Sequence, residues 1–243
     1  MIIKDLDMKI IAIDSSSNVA SVAIIEGDIT VAEYSTNFKL THSQTLLPMI
    51  DEIVSRTNTD LKTVDAIAIS EGPGSFTGLR IGSATGKGLA LALDIPVVNV
   101  PTLMALAANF IPANALVCPI MDARRDQVYT AIYRVGDGVP ETVMEDTPLS
   151  IEELIEKLNE LGESVIFTGD GIVRFKDTID EKLKVEKIFA GCQNNRQRAA
   201  SVGYIGMKLL EMGKQISGDD HVPNYLRLSQ AERELKEKQA NGN

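Results

Sequence analysis

The sequence predicts an α/β protein made of two related lobes. Three observations predict it. Two short apolar runs, residues 8–14 (MKIIAID) and 115–122, each close on an aspartate and read as buried strands. Hairpin signals follow them, and amphipathic helical stretches come after the hairpins. The two halves also echo one another: Ala23-Ile24 stand nine and ten residues after Asp14, and Ala131-Ile132 stand nine and ten residues after Asp122. A length of 243 residues suits one large domain or two modest ones at about 100–200 residues each.

The elements follow in order. Strands over 19–26 and 29–35 flank Gly27-Asp28, so the chain opens with an antiparallel meander. A helix over 41–56 carries Leu46, Leu47, Ile50, Ile53 and Val54 at helical spacing. Thr41 and Gln44 fit a capping box at its start, and Pro48 removes one of its hydrogen bonds. Residues 64–70 form a second buried strand. Glu71 to Arg80 (EGPGSFTGLR) is a turn opening a small-residue helix that runs to about Leu93, and 97–100 is a further strand. In the second half, strands are expected over 115–122, 127–135, 139–146 and 165–168, with helices over 151–161 and 195–212. The lobes are expected to divide at residue 102, giving 1–102 and 103–243. Residues 1–7 read as an extension and the charged stretch after Arg227 as a frayed tail.

Composition narrows the function classes. Apolar residues make up 44% and charged residues 24%, the balance of a soluble globule. Two cysteines, Cys118 and Cys192, exclude a disulfide scaffold and suit a reducing, cytoplasmic setting. No apolar run reaches the ~18 residues of a membrane span. The net charge of −10 argues against a dedicated nucleic-acid binder. One stretch departs from it: residues 187–214 carry five bases and only one acid, Glu211, which reads as a solvated face or a docking patch.

Motifs for catalysis are weak. Gly72, Gly74 and Gly78 open a helix, but Thr77 stands where the dinucleotide fingerprint needs glycine. Gly82-Ser-Ala-Thr-Gly86-Lys87-Gly88 is one residue short of a P-loop. His42 has Leu46 rather than a metal ligand four residues on. Ser15, Ser16 and Ser17 lie beside Asp14 without a local Ser/His/Asp signature. Cys118 reads as core. The informative feature is Gly74, Gly78, Gly82 and Gly86, four apart on one helix side. The three interior glycines cost on the order of 3 kcal/mol relative to alanine. Close approach of another backbone offsets that, either the 41–56 helix of this chain or a second protein.

Taken together, MKIIAID (8–14), HSQTLLP (42–48), GPGSFTGLRIG (72–82), Asp122-Ala-Arg124 and PNYLR (223–227) resemble the bacterial TsaB (YeaZ) family. The resemblance runs from Met8 to about Arg227, and the GPGSFTGLR segment is its most specific part. It implies the two-lobed actin-like fold of the sugar-kinase/Hsp70 superfamily, with ribonuclease H-like lobes and a degenerate second lobe. It also implies a supporting role in making threonylcarbamoyladenosine beside the anticodon of tRNA. The family pairs with the catalytic subunit TsaD, and the ATPase TsaE joins the complex.

The same resemblance implies where this chain acts. The helices over 41–56 and 77–93 are expected to form the face that docks TsaD, through His42, Leu46, Leu47, Ile50, Gly74, Phe76, Thr77, Gly78, Arg80, Ile81, Gly82 and Gly86. Without TsaD, the same face is expected to close a homodimer. Asp14, Ser15 and Ser16 occupy the position of the superfamily's phosphate loop. There Ser16 replaces a glycine, so a Cβ stands where phosphate would approach. No catalytic residue, no metal and no tightly held cofactor are expected of this chain, with nucleotide only at the TsaD interface and tRNA contact indirect. A metallopeptidase and an ATP-dependent kinase of the same fold are the rival readings.

Overall fold

The computed structural model describes residues 8–38 and 41–227. The expected extension at 1–7 and the tail beyond 227 lie outside the described residues. Strands β1 (Lys9–Asp14), β2 (Ala20–Glu26) and β3 (Ile29–Thr36) form the antiparallel meander, turning at Gly27 with φ of 55°. Helix α1 (His42–Thr57) leads to β4 (Ala66–Gly72), parallel to β1, and α2 (Phe76–Leu93) leads to β5 (Val97–Pro101), parallel to β4. Thr41 caps α1 only through its backbone, so the expected capping box is not formed. Its hydroxyl receives a long bond from Ser43 at 3.4 Å instead.

Helix α3 (Thr102–Ala108) follows at the expected lobe boundary. The second lobe then repeats the first. Strands β6 (Ala115–Asp122), β7 (Gln127–Val135) and β8 (Glu141–Ser150) form a second meander. Helix α4 (Ile151–Leu161) leads to β9 (Val165–Thr168), and α5 (Ile172–Lys182) to β10 (Lys187–Phe189). The capping box absent at α1 is present at α4, between Ser150 and Glu153. Counting strands from each lobe's start, both sheets share the order 3-2-1-4-5, with β11 (Gln215–Ile216) added beside β5. This is the duplicated ribonuclease H-like topology of the actin-like fold.

Each sheet is covered on both faces, which explains the unbroken apolar runs of β1, β4 and β6. In β1, Ile11 and Ile13 join a core with Leu46, Ile50 and Ile53 of α1. The alternate residues Ile10 and Ala12 face Val202 and Ile205 of α6 (Ala199–Glu211). In the second lobe, α4 and α5 cover one face through Leu154, Leu158, Phe175 and Ile179. The other face meets Leu103 and Leu106 of α3. The third helix of each lobe therefore packs on the other lobe's sheet. Helix α6 packs on the first sheet and β11 joins it, across the division expected at residue 102. The orphan amides at the start of α6 show the same crossing: Ala199 N–H donates to the Ser21 hydroxyl at 2.9 Å and Ala200 N–H to Glu33 Oε1 at 3.0 Å.

Candidate functional site

The glycine-rich turn and α2 sit directly on the turn between β1 and β2. Ser75 caps α2, its hydroxyl accepting the Gly78 amide at 3.3 Å. The Ser75 amide donates to the Ser16 carbonyl at 2.6 Å, and the Ser15 hydroxyl donates to the Gly78 carbonyl at 2.8 Å. A Cβ on Gly74 would strike the Ser16 carbonyl, one on Gly78 the Ser15 carbonyl, one on Gly82 the Ser15 hydroxyl and one on Gly86 the Ile69 side chain. The bare stripe is thus filled by this chain's own β1–β2 turn and β4. The close approach expected of the glycines is thus made within the chain. Gly78, Gly82, Gly86, Leu46 and Ile50 are buried in the chain. Leu47, Thr77 and Arg80 are exposed, and His42, Gly74, Phe76 and Ile81 are half-buried.

Beneath the turn lies a buried polar cluster. Asp14 accepts the Ser16 amide at 2.9 Å and the Ser16 hydroxyl at 2.7 Å through one oxygen. Its other oxygen is buried with no hydrogen-bond partner among the described residues. Burial pushes the Asp14 carboxyl above its usual range, against the pull of the Ser16 bonds and nearby His42. His42 Nε2 lies 2.7 Å from the Ser17 carbonyl, so this nitrogen carries the proton. Ser17 donates to Gln197 Oε1 at 2.8 Å, in the segment before α6. His42 therefore locks the turn to α1; it does not sit free on the surface. Ser16 is bonded to Asp14 and its carbonyl is taken by α2, so the polar groups of Ser16 are spent inside the chain, while Ser16, Ser17 and Asn18 still line the space between the lobes.

The open space is the cleft between the lobes, about 820 Å³. The second-lobe turn forms one wall. Asp122 accepts the Arg124 amide at 2.8 Å, and Arg124, Arg125 and Asp126 all hold left-handed backbone, with φ of 63°, 54° and 59°. Three such residues in a row cost about 1–2 kcal/mol each. Arg174 braces the turn by pairing with Asp122 at 3.3 Å and Asp126 at 2.6 Å. The other wall is the start of α2. Arg80 lies over the Phe76 ring at 4.0 Å and donates to the Tyr225 hydroxyl at 3.2 Å, and the Phe76 and Tyr225 rings sit 4.4 Å apart.

A strap joins the two walls. The Asn224 amide donates to the Glu71 carbonyl at 2.7 Å in the first lobe, and Arg227 donates to the Ala123 carbonyl at 2.8 Å in the second. Sequence reading noted 223–227 as a motif without locating it, because no local pattern says which distant strands a loop will bridge. Cys118 is core as expected, and burial pushes its thiol up to about 12. Among the described residues, no three His, Cys, Asp or Glu side chains gather into a metal-sized group.

The family model described as tRNA N6-adenosine threonylcarbamoyltransferase, TsaD, matches residues 36–235. A Bacillus subtilis protein described as tRNA threonylcarbamoyladenosine biosynthesis protein TsaB is 33% identical over 96% of this chain and its own full length. The chain belongs to the TsaB (YeaZ) family. The Escherichia coli TsaB is 30% identical over 96% of the chain and all of its own length. The structure of YeaZ from Pseudomonas aeruginosa superposes on this TsaB-family chain with a TM-score of 0.78 at 26% identity, over 90% of the chain and the whole of that protein. No helix among the described residues is long and apolar enough to cross a membrane.

Proposed function

We propose that this chain is a non-catalytic subunit that docks TsaD, with TsaE joining them, in the synthesis of threonylcarbamoyladenosine on tRNA. Membership of the TsaB family ties the chain to that pathway. The docking role rests on the outer face of α2. A surface helix ordinarily turns charged residues to water. Helix α2 contains no acid, and its only charged residues are Arg80 and Lys87. Arg80 is stacked on Phe76, and Lys87 is spent on the Asp219 and His221 carbonyls at 3.2 and 3.1 Å. From Ala84 through Gly88 to Leu91 and Ala92 the exposed surface is uncharged, and Leu91 is 79% exposed. On the adjoining α1, Leu47 is 57% exposed. The interface is therefore carried by the outward residues of the two helices, and the glycines shape α2 from beneath. The same face serves a homodimer when TsaD is absent.

The first-lobe turn supports the non-catalytic part, since the Ser16 amide and carbonyl are spent within the chain and are not free to hold a phosphate. The test is to titrate the purified full chain with TsaD and weigh the product by light scattering. The double variant Leu47→Asp, Leu91→Asp should keep its unfolding midpoint and bind TsaD at least ~10-fold more weakly, a loss of about 1.4 kcal/mol. Unchanged affinity in a folded variant would sink the docking face. Threonylcarbamoyl transfer to tRNA by the chain without TsaD would sink the non-catalytic role.

A further inference from the structure

We infer that the inter-lobe cleft binds a single-stranded segment of RNA, with Arg80, Arg124 and Arg227 on its phosphates and the Phe76–Tyr225 pair beside a base. The inference is independent of the docking role above. It begins with how the arginines are spent. Arg56, Arg134, Arg174 and Arg198 each hold a carboxylate at 3.3 Å or less. Arg80, Arg124 and Arg227 all line the cleft, and none has a carboxylate partner among the described residues. In a chain of net charge −10, guanidinium groups without a carboxylate and gathered on one cavity mark a place where negative charge arrives from outside.

The acids of the cleft do not cancel them. Asp122 is paired with Arg174, and one oxygen of Asp170 is bonded to the Asp122 amide at 3.0 Å. The aromatic pair supplies the second half of the chemistry. Aromatic rings and guanidinium planes are the surfaces on which unstacked bases settle in single-strand recognition. Two features favour a strand over a mononucleotide. The first-lobe turn also lines the cleft, but its Ser16 amide is already spent on Asp14 and its Ser16 carbonyl on the Ser75 amide. The positive charge also continues out of the cavity to exposed Arg125, which has no carboxylate partner among the described residues, so the groups form a track. The net acidity of the chain is a sum over its whole surface, and contact with a strand depends on the local field.

The experiment is fluorescence anisotropy of the full chain with a labelled 12-residue single-stranded RNA and with an unmodified tRNA transcript. The expected result is binding to both in the micromolar range at low salt, with a log–log salt slope near −2, as about three phosphate contacts on a single strand require. The triple variant Arg80→Ala, Arg124→Ala, Arg227→Ala should bind at least ~10-fold more weakly with a flatter salt slope. Phe76→Leu should weaken binding at least ~5-fold and leave the slope unchanged, since a ring contributes stacking and no charge. Arg134→Ala, on a remote ion pair, should match the parent chain. Circular dichroism checks that each variant is folded. No binding by the parent chain, equal binding by the folded triple variant, displacement by AMP or ATP at equal nucleotide concentration, or equal displacement by polyglutamate would each overturn the inference.

Discussion

Asp14 and Asp122 hold the same position in the two lobes, each closing a first strand and accepting the amide of the second residue after it, Ser16 at 2.9 Å and Arg124 at 2.8 Å. Their surroundings then diverge. Asp14 is fully buried under α2, and Ser16 keeps an ordinary negative φ. Asp122 is exposed on the cleft wall, and Arg124 takes the left-handed backbone. One repeated unit thus carries a turn packed under α2 in the first lobe and an exposed turn with three left-handed residues in the second.

The glycines of α2 should separate by what lies beneath them. Gly86→Ala drives a methyl into Ile69 and should cost about 1–3 kcal/mol. Nothing lies within 4 Å of a Cβ on Gly88, so Gly88→Ala should stabilise the isolated chain by up to about 1 kcal/mol. Urea unfolding of both variants measures this. A neutral Gly86→Ala would show that the sheet beneath α2 yields.

Stability should fall with pH through the titration of Asp146. Burial raises this carboxyl to about 6 from 3.8, against the pull of the Tyr133 hydroxyl bond at 2.6 Å and aided by the Glu145 charge. The folded state therefore holds the proton more tightly than the unfolded one. The stability this confers is complete below pH 3.8 and is lost as pH rises through 6. Asp146→Asn keeps an acceptor for Tyr133 and relieves Glu71, whose own carboxyl is raised first by burial and then by Asp146. The variant should gain on the order of 2 kcal/mol over the parent at pH 7.5 and nothing at pH 4. Thermal unfolding across that range is the readout. A gain that does not change with pH would assign the effect to packing.

Much of the first lobe was legible because its signals are local. Gly27-Asp28 sets a hairpin, and the apolar runs of β1 and β4 are continuous because helices cover both sheet faces. The helix α5 and strand β10 escaped notice. Only Ile172, Phe175 and Ile179 of α5 are buried, and β10 is three residues long at a sheet edge. The glycine spacing correctly announced a close approach, but spacing cannot name the visitor. It proved to be Ser15 and Ser16, some sixty residues away in the chain and invisible to any window along it. The arginine pairing pattern was equally hidden, since it depends on which acids the fold brings near.

Glu33 should matter more than an edge-strand acid ordinarily does. Its carboxylate binds Arg198 at 2.6 Å through one oxygen and accepts the Ala200 amide at 3.0 Å through the other. It acts as a cap for α6 supplied from β3, because Arg198 offers no side-chain cap of its own. Glu33→Ala should cost about 1–3 kcal/mol in urea unfolding. Glu33→Gln, which keeps an acceptor, should cost about half as much. Equal losses would assign the effect to the ion pair alone.

Restoring the superfamily glycine should not restore nucleotide binding. Ser16→Gly removes the hydroxyl that donates to Asp14 at 2.7 Å and the Cβ that lies near Gly74. The closure itself is made by backbone: the Ser75 amide holds the Ser16 carbonyl at 2.6 Å, and the bare Cα of Gly74 rests against that same carbonyl. Glycine at position 16 keeps both contacts. Calorimetry with ATP and magnesium should therefore give a Kd still weaker than about 1 mM, that is, less than about 4 kcal/mol of binding. The variant should also lose about 1 kcal/mol of stability, because Asp14 is left with a single donor in a buried site. Micromolar ATP binding by Ser16→Gly would mean that one side chain, and not the seating of α2 on the β1–β2 turn, keeps this lobe from holding phosphate.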